Sequence, residues 1–235
     1  MSFRARMYNR RAAHPKSMPD KILEKLPLKP GHIVADVGAG GGYFSLKFAE
    51  MVGSGGRVYA LDVNRKFLDF IKANAMGAGL NNVECIYSPE DVSLLPEKKV
   101  DMIFLRNVYH HIKNPADYLA SFTASLKPDG KLVIVENKKV GGLSLHSMFG
   151  HHTPKEQIHK EMKSAGYELK EDHDFLPEQS FMIFSVKGEE TKPKEQEAQA
   201  AAVPEAPKAV VVVEEKASPA IPAAAPQAEA KEKTV

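Results

Sequence analysis

The sequence predicts an α/β fold built on a seven-stranded, mostly parallel sheet with an antiparallel last strand, and three observations carry that prediction. First, the apolar run Val34-Ala35-Asp36-Val37 passes through the glycine-dense turn Gly38-Ala39-Gly40-Gly41-Gly42 straight into an amphipathic helix from Tyr43. Second, strands and helices alternate from there to Glu136, the rhythm of parallel strands joined by right-handed crossovers. Third, two closing strands, Tyr167 to Asp172 and Phe181 to Lys187, are separated by Pro177 with no helix between them, which makes them a hairpin.

Each element has a local reason. Pro19-Asp20 opens a short helix through Leu26, and Pro27, Pro30 and Gly31 end it before strand one, His32 to Val37. The helix after the glycine turn runs to about Val52. Strand two, Val58 to Leu61, gives way to a helix from about Arg65 to Met76, with Asn64 as its N-cap and Gly77 as its stop. Strand three is Val83 to Tyr87, and strand four is Asp101 to Leu105 after the polar Glu97-Lys98-Lys99. Asn114-Pro115 supplies an N-cap and a first-turn proline for the helix Ala116 to Leu126, and Pro128-Asp129-Gly130 turns the chain into strand five. Thr153-Pro154-Lys155-Glu156 reads as a capping box, and Gly166 stops the helix that follows.

A glycine turn that feeds a helix brings backbone N–H groups against a ligand, and the spacing separates ligand classes. The dinucleotide fingerprint G-x-G-x-x-G would place its last glycine at position 43, where Tyr43 stands. The pattern here is D-x-G-x-G-x-G, with Asp36 ending strand one and a second acid, Asp62, ending strand two. This pairing resembles motifs I and II of the class I S-adenosylmethionine-dependent methyltransferases. Asp101-Met-Ile-Phe-Leu-Arg-Asn107-Val-Tyr-His-His111 is similar to that family's fourth strand and the loop after it. Leu126-Lys-Pro-Asp-Gly-Lys-Leu-Val-Ile-Val-Glu136 is similar to its lead into strand five. The resemblance covers residues 20 to 187 in consistent order. It implies a Rossmann-like fold, S-adenosylmethionine as cofactor and methyl transfer as the reaction.

The candidate site residues follow from that frame. Gly38, Ala39, Gly40, Gly42 and Tyr43 form the cofactor turn. A carboxylate at Asp62 is suited to the two ribose hydroxyls, Val63 to an apolar wall for the adenine, and Asp36 to holding the turn or the cofactor's ammonium end. Related enzymes often place an acid after strand three; here Ser88 stands there, so Glu90 or Asp91 is expected to supply the acceptor for the adenine amino group. The loop from Arg106 to His111 lies where an acceptor would approach; Asn107 at its start is expected to contact the cofactor, and His110 is the candidate general base. No metal is expected. Glu136-Asn137 faintly resembles a pair in magnesium-dependent catechol-type enzymes but lacks a third acid near Asn107, and His146, His151, His152 and His159 fit no regular zinc spacing. That histidine group is better suited to a substrate lid or to packing at a helix entry.

Composition bounds the rest. The net charge of +2 gives no general case for nucleic-acid binding, although Arg4, Arg6, Arg10, Arg11 and Lys16 all precede the first acid, Asp20, and make residues 1–18 a basic arm. Cys85 is the only cysteine, which excludes an intramolecular disulfide and a Cys-rich zinc site and suggests a reduced, cytoplasmic setting. No stretch has the length of a membrane-spanning helix, and the amino terminus lacks the apolar segment of a signal peptide. The absence of a large inserted substrate domain in residues 19–187 favours a small-molecule acceptor. Two alternatives remain open: a protein or RNA modifier or non-catalytic adaptor working through the basic arm and the Ala/Pro/Lys/Glu-rich tail, and an NAD-binding oxidoreductase sharing the sheet and Asp62.

Residues 188–235 contain no aromatic residue and are dominated by Ala, Pro, Glu, Lys, Gln and Val, a composition that buries too little apolar surface to offset ordering entropy. They are expected to form a disordered tail. Deleting them is expected to leave melting temperature and cofactor affinity unchanged; a fall of several degrees would mean that Val210 to Val213 docks on the domain.

Overall fold

A computed structural model describes residues 3–89, 94–138 and 153–188. Seven strands form one sheet in the order β3-β2-β1-β4-β5-β7-β6. In chain order they are β1 (Ile33–Val37), β2 (Arg57–Asp62), β3 (Val83–Tyr87), β4 (Val100–Arg106), β5 (Leu126–Asn137), β6 (Tyr167–His173) and β7 (Gln179–Val186). Pairing is parallel from β3 across to β5, and β7 runs antiparallel to both β5 and β6. The closing hairpin thus inserts its second strand beside β5. The strand order reverses between β1 and β4, where their carboxyl ends leave a crevice.

Period-two alternation in apolar strands sorts the core into two layers. Val34, Val58, Met102, Phe104, Val133 and Ile183 pack with α2 (Pro19–Lys25) and α3 (Tyr43–Val52), whose Phe44 and Phe48 rings lie 5.1 and 5.2 Å from Phe104. Ala35, Leu61, Ile103, Leu105, Ile134 and Met182 pack on the opposite side with α5 (Pro115–Ser125) and with Ile158 and Met162 of α6 (Lys155–Ser164). Burying an aromatic or large aliphatic side chain of this kind contributes roughly 1.5–3 kcal/mol. Helix α4 (Arg65–Gly77) adds Leu68 and Ile71 against Ala60, and its expected cap forms, the Asn64 side chain accepting from Lys66 N–H at 3.0 Å.

Several local expectations are corrected. The Thr153 capping box does not form: Pro154 occupies the N-cap position of α6, and no side chain bonds there. Asn114 does not cap α5 with its side chain, which donates to Asp117 at 2.5 Å instead. Pro128-Asp129-Gly130 is no turn before β5 but an irregularity within it. The register steps from Val100↔Leu126 to Met102↔Lys131, two residues on β4 against five on β5. A Cβ at Gly130 would lie 2.9 Å from the Lys127 carbonyl and 3.0 Å from that of Val100, so the compressed strand accepts only glycine there.

The basic amino end folds. Residues Phe3–Ala12 form α1, whose arginines Arg4, Arg6, Arg10 and Arg11 are exposed while Ala5 is buried. The docked positions Ala5, Tyr8, Asn9 and Ala12 follow helical spacing, one stripe of a turn-by-turn pattern. Asn9 Oδ1 accepts the N–H of Tyr43 at 3.1 Å, capping α3 from another helix, and the Tyr8 ring meets Phe67 edge-on at 5.6 Å. A Cβ on Gly41 would overlap the Ala5 carbonyl and Asn9 Oδ1.

Asn9→Ala is therefore expected to cost about 1 kcal/mol, like loss of an N-cap, and Gly41→Val to release α1 altogether. Trypsin should then cut at Arg4 to Arg11 faster than in the parent while far-UV circular dichroism keeps the sheet signal. Equal cleavage rates would show that α1 does not depend on that contact.

Candidate active site

The turn after β1 is held from three directions. Gly38, Gly40 and Gly42 have φ of +68°, +57° and +80°, angles that side chains disfavour. A Cβ on Gly38 would strike Val108, from the loop after β4, and one on Gly42 would strike Ile71 of α4. At Gly40 the nearest atom to such a Cβ is Tyr8 Cβ at 3.8 Å, an ordinary van der Waals contact, so only the positive φ disfavours a side chain there. Ala39 N–H donates to the Leu61 carbonyl at 2.9 Å.

Asp62 ends β2 and is wired to the turn. Its Oδ2 accepts Gly40 N–H at 2.9 Å and its Oδ1 accepts Asn64 N–H at 2.8 Å, so the carboxylate ties the turn after β1 to the loop after β2. Burial raises its pKa and those backbone N–H groups oppose the rise. Val63 beside it is 51% exposed, an apolar side chain without cover. Ser88 is buried and donates its backbone N–H to the Asp62 carbonyl at 3.3 Å; Glu90 and Asp91 lie outside the described residues.

Asp36 is the buried acid of the site. Ser45, one turn into α3, donates its hydroxyl to Asp36 Oδ2 at 2.5 Å. Burial nevertheless pushes the Asp36 carboxyl up to about 7, with the nearby Asp62 adding to the rise and Ser45 and Arg106 opposing it. The first N–H groups of α3 were expected to face a ligand; Tyr43 N–H is taken by Asn9 and Ser45 N–H by Asp36.

At the end of β4, Arg106 lies over the Phe44 ring at 5.1 Å and donates to Gln179 Oε1 at 3.1 Å. Burial pulls its guanidinium down to about 10, opposed by Tyr43 and Asp36. Its Nε is buried and has no hydrogen-bond partner. Gln179 Nε2 donates to Asn107 Oδ1 at 2.6 Å and Asn137 Oδ1 at 3.3 Å. Asn107 sits at φ +55°, a left-handed angle for a residue with a Cβ, held by its N–H to the Val135 carbonyl at 2.8 Å. His110 and Glu136 meet on the other side of the sheet, Nδ1 to Oε1 at 2.9 Å.

The described residues contain no group of three or more His, Cys, Asp or Glu arranged for a metal ion. Of the expected histidine group, His146, His151 and His152 fall outside the described residues, and His159 packs edge-on to Phe184 at 6.0 Å. Among the described residues no helix is long and apolar enough to cross a membrane.

Residues 28–199 match the family model described as a methyltransferase domain. The chain belongs to the class I S-adenosylmethionine-dependent methyltransferases. A methyltransferase structure from Aquifex aeolicus superimposes with a TM-score of 0.69 at 25% identity, covering 79% of this chain and all of that one. The ubiquinone/menaquinone biosynthesis C-methyltransferase of Francisella philomiragia is 30% identical over 120 residues, 51% of this chain and 48% of that protein. Phosphoethanolamine N-methyltransferase 1 of Zea mays is 29% identical over 153 residues, 63% of this chain and 27% of that protein. The chain spans about half the length of the quinone-type relatives it matches.

S-adenosylmethionine is the cofactor of this family, and the methyltransferase's donor set fits it. Asp36 and Asp62 are acceptors suited to an ammonium and a diol, and Arg106 Nε is a buried donor, without a partner among the described residues, suited to a carboxylate. Sequence reasoning missed Tyr8, Asn9, Ser45 and Gln179, and it read Arg106 only as the start of the acceptor loop. The helical spacing of Ala5, Tyr8, Asn9 and Ala12 would have found α1; nothing local marks Gln179, which reaches the site from a strand about seventy residues downstream.

Asp36 predicts a pH signature in the cofactor-free protein. Its folded value of about 7 lies above the ordinary 3.8, so the native state holds the extra proton and stability falls as pH rises between those values. Asp36→Asn is expected to remove that fall, gaining up to about 4 kcal/mol relative to the parent between pH 4 and pH 8. Urea unfolding at the two pH values checks it; a difference that does not change with pH refutes it.

Proposed function

We propose that this chain transfers the sulfonium methyl group of S-adenosylmethionine to a small-molecule acceptor that enters over the loop after β4. The observation that carries the reading is Asp62, whose carboxylate ends β2 and grips Gly40 of the turn after β1, beside the point where the strand order reverses between β1 and β4. Asp62 and Val63 would hold the adenosine part, and Asp36 and Arg106 the amino-acid end. The bound donor supplies an activated methyl group, so alignment of the acceptor provides most of the rate enhancement. His110 stands in the loop after β4 as the candidate base.

The small-molecule class has two supports. The described sheet carries no inserted substrate domain. The two matched relatives named above are named for quinone biosynthesis and for phosphoethanolamine, both small acceptors. The RNA or protein alternative rests on the basic arm and the tail; the arm is a helix that holds the turn through Asn9 with its arginines exposed, and the tail lies outside the described residues. The oxidoreductase alternative has Tyr43 against it, at the position of the third dinucleotide glycine.

S-adenosylmethionine and S-adenosylhomocysteine are expected to bind and raise the melting temperature, by about 2.7 kcal/mol of added stability at a hundredfold excess over Kd. Asp62→Ala should weaken binding by roughly 1.5–3 kcal/mol. Calorimetry that shows heat with NAD and none with either methyl-donor compound would overturn the reading.

A further inference from the structure

Helix α1 has two faces with different surroundings. Ala5, Tyr8, Asn9 and Ala12 recur at helical spacing and form the docked stripe, with Asn9 on α3 and Tyr8 against Phe67. The opposite stripe is Phe3, Met7 and Arg10, with Arg6 on one flank and Arg4 and Arg11 on the other. Phe3 is 79% exposed, Met7 is partly exposed, and the four arginines are exposed. Lys16, in the short turn that follows, is exposed as well. No acid occurs from Phe3 to Pro19.

For a helix that only supports a turn, this outer face is poorly composed. Arg4 and Arg6 stand in the first turn, where the helix dipole disfavours cations and no acid offsets them. Arg6 and Arg10 are like charges one helical turn apart. In their midst is Phe3, the most exposed large apolar side chain among the described residues. A second copy of the chain on this face would set arginine against arginine. A nucleic-acid phosphate backbone would satisfy the arginines and leave Phe3 and Met7 in water. A bilayer with anionic headgroups takes both, because apolar side chains enter the boundary between headgroups and acyl chains while arginines lay their stems along it and reach the phosphates.

We propose that the outer face of α1 is a peripheral docking surface for an anionic lipid bilayer, with Phe3 and Met7 inserted at the headgroup boundary and Arg4, Arg10 and Arg11 bound to lipid phosphates. Because Asn9 on the inner face caps α3, docking brings the glycine turn within about one helix diameter, roughly 10 Å, of the lipid surface. It does so whatever acceptor enters the crevice.

Cosedimentation of the full chain with vesicles tests this. The parent should bind phosphatidylcholine vesicles that contain about 30% phosphatidylserine, fail to bind pure phosphatidylcholine, and lose binding as salt is raised. One basic side chain at such a surface is worth about fivefold in partitioning, so Arg10→Ala/Arg11→Ala should lower it about twenty-five-fold. Arg10→Lys/Arg11→Lys, which keeps the charge, should stay within about threefold of the parent. Phe3→Ser should lower partitioning roughly tenfold at unchanged net charge. All three variants should keep the parent's melting temperature and circular dichroism, since they alter exposed side chains. A parent that stays in solution with the anionic vesicles overturns the proposal, as does the alanine pair or Phe3→Ser binding them as the parent does. A single-stranded RNA oligonucleotide that binds the parent more tightly than the vesicles do, and depends on Arg10 and Arg11 but not on Phe3, assigns the face to nucleic acid and overturns it too.

Discussion

The close approach of three segments to one glycine turn is the constraint on which the rest of the site depends. Val108 from the loop after β4 fills the space beside Gly38, Ile71 of α4 the space beside Gly42, and the α1 backbone the space beside Gly41. A Cβ at any of these positions would push one of the three segments away. Gly40 is the exception, left uncrowded and held in place by Asp62. Three glycines of this turn therefore admit protein where a Cβ would clash, while at Gly40 a Cβ would make only ordinary contact with Tyr8. Because Val108 belongs to the loop that carries His110, the same packing sets the distance between the donor side of the crevice and the acceptor side.

The sheet separates the chemistry as cleanly as it separates the core. Asp36, Arg106 and Gln179 fall on the α3 side of their strands and collect the groups suited to the cofactor's charged end. Glu136 and its partner His110 fall on the α5 side. Alternation along parallel strands produces this division without further instruction, since neighbouring residues of one strand must face opposite layers. Arg106 and Glu136 thus sit at adjacent strand ends, one strand apart, yet belong to different networks.

Buried charge at the carboxyl edge has a stability cost that a purely structural sheet would avoid. Asp36 near neutrality is the clearest case, since burial outweighs the hydroxyl that Ser45 donates and the charge of Arg106. A cationic ligand at that edge would reverse the balance by favouring the ionised carboxyl. Membership of the methyltransferase family gives such a ligand its identity, and the unpaired Arg106 Nε and Glu136 Oε2 mark where the site retains unused hydrogen-bonding capacity.

The sequence by itself determined the order of strands and helices, the closing hairpin, the glycine turn and the two acids Asp36 and Asp62, because each is written in local periodicity or in residue spacing. It also placed the Asn64 cap and the loop bearing His110. What it misjudged were the Thr153 cap, whose position Pro154 occupies, the Asn114 cap, whose side chain bonds Asp117, and the Pro128-Asp129-Gly130 segment, which the ladder absorbed as an irregularity. Only the tertiary structure decided that the basic amino end is a helix capping α3 through Asn9, that Gln179 joins Arg106 to Asn107, and that Glu136 stands behind His110. Those partners are separated by 26 to about 73 residues: His110 and Glu136 meet because parallel β4 and β5 end side by side, Gln179 arrives at the amino end of antiparallel β7, and Asn9 comes from a docked helix, proximities that no local pattern encodes.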